Sequence, residues 1–255
     1  GSKDATEWSS MVDDDVVFID FPIDPDAEFD PSILPPADQI AAFFLETYQG
    51  WAAWMYPPQY IQALYKFVRD NGALVCFDEV QAGFYRMGEL YGYMTYGDNI
   101  EPDLICLGKG ISSSIPMSAI LGTKEIIDVD LNANLSGTHA GNTLGCAACL
   151  ANIKFLTDKK FQKELNKRIQ VFEKRSHKLL DYDCVTNVNA RGMVAGIVFD
   201  TTERTNKIVT DCIENGVLPV CTFRESIKLG PPLTLPIEAI DEAFDVIEQC
   251  INKNI

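Results

Sequence analysis

The sequence is poor in the features that would place it in a membrane, on nucleic acid or around a metal. No apolar run is long enough to cross a bilayer, and no leader-like apolar segment is read at its start. Basic residues are scarce: 21 Lys and Arg stand against 37 Asp and Glu, a formal net charge of −16. Phosphate backbones and anionic lipid repel such a surface, so both are excluded as partners. Histidine occurs twice, as His139 and His177. Among the 8 cysteines only Cys146 and Cys149 have redox or zinc spacing, and no second pair accompanies them in their alanine-rich helical stretch. No metal site is expected. Most of the other cysteines sit in apolar runs, where the side chain acts as a small hydrophobe, and a reducing, cytoplasmic setting follows.

What is present is a globular composition, 47% hydrophobic and 23% charged over 255 residues, with enough chain to bury a core. Gly1-Ser2 reads as an expression remnant, and residues 1–15 are expected to form a disordered leading segment. Residues 16–21 read as a first strand. The proline-rich link through Pro36 has no regular structure. Residues 40–46 read as a buried strand that stops at Glu46. The loop from Trp51 to Tyr56 is aromatic, and either walls a substrate pocket or meets a second subunit. Pro57-Pro58 opens a helix with Ile61, Leu64, Tyr65 and Val68 on one face, closed by Asn71-Gly72. Strands alternating with helices predict parallel βαβ construction.

Residues 141–156 are apolar on all sides, which predicts a buried helix. A charged helix over 158–180 follows. Beyond it the pattern changes to strands at 193–199, 217–220 and 226–229, with helices at 203–215 and 236–253. The expected fold class is therefore α/β: a mostly parallel sheet over 16–155, followed by a smaller α+β domain over 156–255.

Two short apolar runs carry the chemistry. Leu74-Val75-Cys76-Phe77 stops at Asp78, and Leu104-Ile105-Cys106-Leu107 stops at Gly108-Lys109-Gly110. Such runs read as buried strands of a parallel sheet, and the carboxyl ends of those strands form the rim where ligands bind. A lysine directly after a buried strand suits Schiff-base chemistry, because its ammonium loses a proton readily in a dry site. The flanking glycines leave room for a flat group. The plainer reading makes Lys109 a solvated loop residue and Asp78 a helix cap.

Context favours the first reading. Asp78-Glu79-Val80-Gln81-Ala82-Gly83-Phe84-Tyr85-Arg86-Met87-Gly88, then Glu101-Pro102-Asp103, Gly108-Lys109-Gly110, Ser136-Gly137-Thr138-His139-Ala140-Gly141-Asn142 and Pro231-Pro232-Leu233, together resemble the class III aminotransferases. These are pyridoxal 5'-phosphate enzymes of fold type I. The likeness runs in order through nearly the whole chain. It implies a large cofactor domain, here incomplete, followed by the C-terminal small domain.

The resemblance also implies roles. Lys109 would hold the cofactor and then move a proton as a neutral amine, which calls for burial and a neighbouring positive charge. Asp78 would pair with the pyridine nitrogen, and Gln81 would donate to the phenolic oxygen; glutamine is also a common surface residue. Thr138 would reach the cofactor phosphate of a partner subunit, which implies a homodimer with shared sites. His139 has no assigned role and reads as structural, as do Arg86 and Arg191. Glu46, Trp51 and Lys228 would face the substrate.

Two departures qualify this. Lys228 stands where the family has an arginine; it can pair with Glu46 but cannot grip a carboxylate through two parallel bonds. The family's phosphate-cupping glycine/serine turn and stacking aromatic have no counterpart upstream of Asp13, so the chain resembles the C-terminal part of such an enzyme. The expected function of the intact protein is transfer of an amino group from an amine or amino acid to a keto acid or aldehyde. The alternatives are aminomutase or decarboxylase chemistry on the same fold, or a non-catalytic dimerisation module.

Overall fold

The computed structural model describes residues 16–128 and 137–255. The leading segment 1–15 and Ser136 lie outside the described residues.

Residues 16–21 form no strand. Their aromatic and aliphatic side chains instead pack as extended chain, with Ile19 and Phe21 against a core cluster and Phe21 4.3 Å from the Tyr56 ring. A short apolar run makes a strand only where a sheet edge offers backbone partners.

The first sheet has the order β1-β4-β5-β6. It is built from β1 (Ala42–Glu46), β4 (Leu74–Asp78), β5 (Leu104–Leu107) and β6 (Ala119–Gly122). Between β1 and β4 lie the short antiparallel pair β2 (Tyr48–Gln49) and β3 (Trp54–Met55) and helix α1 (Pro58–Asp70). β1, β4 and β5 run parallel, whereas β6 returns antiparallel to β5; the parallel expectation holds for three strands of four, and a helix makes the crossover only between β1 and β4.

Register decides which side chains share a face. Glu46 pairs with Asp78, Asp78 with Cys106, and Cys106 with Ile120. With strand alternation, Phe44, Glu46, Cys76, Asp78, Cys106 and Ile120 share one face, and Phe43, Leu45, Val75, Phe77, Ile105 and Leu107 the other. The second set is buried, its β1 and β4 members beneath Ile61, Leu64 and Val68 of α1. The first set is open at the sheet's outer strands, where Phe44 is 73% exposed and Ile120 62%, whereas Cys76 between them is buried. The strands read as buried on both faces, but the described elements cover one.

The short helix α2 (Lys124–Ile127) follows β6, and α3 (Thr143–Leu156) comes next. Helix α3 also departs from expectation. Only Gly145, Cys149 and Leu156 are buried, while Leu144, Leu150 and Phe155 are exposed. An apolar surface is buried only where another element lies against it, and α3 has neighbours on one side.

Helix α4 (Lys159–Lys178) leads to the second, antiparallel sheet, ordered β7-β8-β10-β9: β7 (Val185–Arg191), β8 (Val194–Phe199), β9 (Val220–Cys221) and β10 (Ser226–Leu229). Strand β7 has no counterpart in the sequence reading, because Thr186, Asn187 and Asn189 interrupt its apolar pattern. Helices α5 (Thr202–Glu214) and α6 (Ile237–Lys253) complete this region. Its core also takes in Phe84, Ile105, Leu107 and Ile111.

The second sheet is pressed against the aromatic loop. A Cβ on Gly196 would overlap the carbonyl of Ala52, which also accepts a bond from Asn189 Nδ2 at 3.0 Å. Gly196→Ala must therefore push the 51–55 loop off the sheet, at a cost of about 3 kcal/mol or more. Denaturant unfolding of Gly196→Ala against wild type is expected to show that loss; an unchanged midpoint would mean the close approach is absent.

Candidate active site

Asp78 is the last residue of β4, and Lys109 follows β5 by two residues, so acid and amine leave neighbouring parallel strands at the same rim. Asp78 is exposed; its Oδ1 accepts from the Val80 amide at 2.9 Å, and Oδ2 has no partner among the described residues. Lys109 begins a single 3₁₀ turn (Lys109–Ile111) with φ of 36°, a left-handed conformation unusual for a side chain of this size. Gly108 packs its open side against Val80, where a Cβ would come within 3.2 Å. Lys109 is exposed, not held in a dry pocket as the sequence reading required, because no described element closes over it.

Beside Lys109 lies a cavity of about 710 Å³, walled by Lys109, Ser112, Ser113, Ser114, Ser118 and His139 among others. Its polar walls are a cation, hydroxyls and an imidazole, a donor-rich set suited to an anionic group, and Ile115, Pro116 and Met117 add an apolar side. Asp78 is not among its walls. Sequence reasoning passed over the serines, whose only signal was their run directly after the lysine. His139 faces this cavity.

Thr138 is exposed in the turn before α3. The amides at that helix start are not free for a phosphate: Asn142 Oδ1 accepts from both Leu144 N and Gly145 N at 3.1 Å. An N-cap side chain satisfies those two amides inside the helix.

Gln81, Glu46 and Lys228 meet around Gly50. Glu46 Oε2 accepts from the Gly50 amide at 3.0 Å. Lys228 Nζ donates to the Gly50 carbonyl at 2.6 Å and to Gln81 Oε1 at 2.9 Å. The pairing open to Lys228 and Glu46 is thus replaced by a link through Gly50, with the carboxylate on its amide and the ammonium on its carbonyl. Burial lowers the pKa of the Lys228 ammonium, the nearby Lys109 charge lowers it further, and Glu46 opposes both. Trp51 is half-buried, 6.3 Å from the Trp54 ring and beneath the Arg224 guanidinium at 5.0 Å, a cation–π contact.

Three further residues shape the rim and its surroundings. Glu79 is fully buried. Its Oε1 accepts from Thr47 Oγ1 at 2.6 Å and Tyr93 N at 2.8 Å, and its Oε2 from Gly92 N at 2.8 Å. Its only sequence signal was a second carboxylate at a strand end. Arg86 donates through one nitrogen to the carbonyls of Met193 at 2.7 Å and Pro231 at 2.6 Å, tying the rim to the second sheet. Arg191 donates to Thr95 Oγ1 at 3.0 Å and lies over the Tyr96 ring.

A parallel sheet with an acid and an amine at one rim, followed by an antiparallel sheet docked onto that rim, is the architecture of the fold-type-I aminotransferases. The family described as "Aminotransferase class-III" matches residues 32–251, and the chain belongs to it. It is 31% identical to the 2-aminoadipate transaminase of Pseudomonas putida over 228 residues, covering 84% of this chain and 54% of that one. It is 32% identical to the acetylornithine aminotransferase of Methanothermobacter thermautotrophicus, covering 84% and 55%. The leucine/methionine racemase of Thermococcus litoralis is 30% identical, covering 84% and 50%. A solved ornithine aminotransferase from Plasmodium yoelii superposes with a TM-score of 0.78 at 28% identity, over 85% of this chain and 58% of that one. The chain spans about half the length of the curated relatives it matches.

Burial raises the Glu79 pKa above its ordinary 4.5, and the bonds from Thr47, Gly92 and Tyr93 partly offset this. A carboxyl with a raised folded-state pKa contributes stability that is present below the unfolded value and lost as pH rises through the folded one. The stability of wild type relative to Glu79→Gln is therefore expected to fall as pH rises from 4.5. Paired urea titrations across that range test it, and a constant difference would count against the assignment.

Proposed function

We propose that the complete protein transfers an amino group between an amine or amino-acid donor and a keto acid or aldehyde, with pyridoxal 5'-phosphate as cofactor. The observation that carries this reading is the placement of Asp78 and Lys109 at the ends of neighbouring parallel strands, with Gln81 on the turn leaving the first. The residues present suit the cofactor's chemistry: an acid with a free oxygen, an exposed amine and a hydroxyl-lined cavity beside it. When bound, the cofactor supplies an electron sink, and the protein supplies orientation and charge.

In this reading Lys109 would hold the cofactor and, as a free amine, would carry a proton. Asp78 would hold the proton on the ring nitrogen. Gln81 would donate to the phenolic oxygen. Thr138 reaches the phosphate bound by a second subunit; the exposed faces of α3 and of the first sheet support a homodimer with shared sites. Glu46, Trp51 and Lys228 border the substrate, a small amine, keto acid or aldehyde. Eight free cysteines support a reducing, cytoplasmic setting, and no described helix is long and apolar enough to cross a membrane.

The racemase among the relatives supports a second reading, in which the same amine and acid serve a sister chemistry such as aminomutation or decarboxylation. The short span of the chain supports a third, a non-catalytic interaction module. One experiment separates the third from the others. In a polypeptide of the relatives' length that contains this chain, added pyridoxal 5'-phosphate is expected to raise an absorbance band near the visible edge. Borohydride should then fix the cofactor's mass on the Lys109 peptide, and Lys109→Ala should abolish both signals. An identical band in Lys109→Ala, or none in wild type, would count against cofactor chemistry at this site.

A further inference from the structure

We propose that Lys228 is a positioning residue: it fixes the side-chain amide of Gln81 with the oxygen engaged and the nitrogen left as the available donor. The two ends of a glutamine amide are nearly alike in shape, so a neighbour must choose between them. Lys228 makes that choice because an ammonium only donates. Its Nζ bonds Gln81 Oε1 at 2.9 Å, and Gln81 Nε2 has no acceptor among the described residues. The ammonium is held in turn by the Gly50 carbonyl at 2.6 Å. Gly50 must be a glycine for this arrangement, since a Cβ there would stand 2.8 Å from Gln81 Nε2. Glu46 Oε2 takes the Gly50 amide, so that carboxylate steadies the loop that steadies the lysine.

The assembly spans the chain. Lys228 lies on β10, where it pairs with Gly196 of β8, the glycine that admits Ala52 of the same loop. The second sheet therefore decides, across 147 residues of sequence, which end of Gln81 is engaged and which is left to donate. An amide presenting nitrogen donates to an anionic oxygen; one presenting oxygen would repel it. That the recipient is the cofactor's phenolic oxygen rests on the proposed function; the orientation itself does not.

The test is made on the chain labelled with nitrogen-15. The Gln81 side-chain amide is identified by its loss in Gln81→Leu. In wild type it should be a distinct, ordered pair of resonances. In Lys228→Met the pair should move to the position of solvent-averaged glutamine amides and lose order, with the backbone spectrum otherwise retained. Lys228→Arg, which also only donates, should restore it, whereas Lys228→Gln, able to present either end, should give two amide populations. An ordered, unshifted pair in Lys228→Met or in Lys228→Gln would overturn the proposal. No cofactor is needed for this readout, so it can fail while Lys109 attachment succeeds, or succeed while attachment fails.

Discussion

The rim of this protein depends on one buried carboxylate. Glu79 draws the Thr47 hydroxyl beyond β1 and the Gly92 and Tyr93 amides to a single point. A charge removed from water is tolerated only when donors surround it, so three separate stretches are fixed together or not at all. The adjacent Asp78 points to the opposite, open side because successive side chains alternate on extended backbone. One residue step thus separates the buried group that builds the rim from an exposed acid beside it.

The second constraint is the docking of the antiparallel sheet. Arg86 satisfies the carbonyls of Met193 and Pro231, while Gly196 accepts the Ala52 carbonyl edge-on. Burial pulls the Arg86 guanidinium below its ordinary range, a cost these two carbonyl bonds help to offset. Together they bring β10, and with it Lys228, beside Gln81. The cluster of Gln81, Gly50 and Lys228 is therefore assembled from sequence positions far apart, and its hydrogen bonds depend on how closely two backbones approach.

Two surfaces remain open: the Phe44 and Ile120 face of the first sheet, and the Leu144, Leu150 and Phe155 side of α3. Parallel sheets are usually covered on both faces. Their exposure accords with a chain that spans about half the length of its curated relatives. It also explains why Lys109 stands exposed, although its placement after β5 was legible from the sequence.

Much of the architecture could be read from the residues. The runs ending at Asp78 and Lys109, the proline-started helix α1 and the last amphipathic helix each carry a local pattern strong enough to identify them. Strand β7 escaped because its polar residues break that pattern, and residues 16–21 misled because an apolar run alone supplies no backbone partner. Which residue types sit at the rim, and the family they resemble, was determined by sequence alone, since residue identity and spacing suffice for that. Only the tertiary structure decided that Glu79 is buried, that Asn142 occupies the amides near Thr138, and that Lys228 meets Gln81 and Gly50 rather than Glu46. Hydrogen bonds between distant segments are chosen by which donor and acceptor geometry brings within 3 Å, and no local pattern encodes that distance.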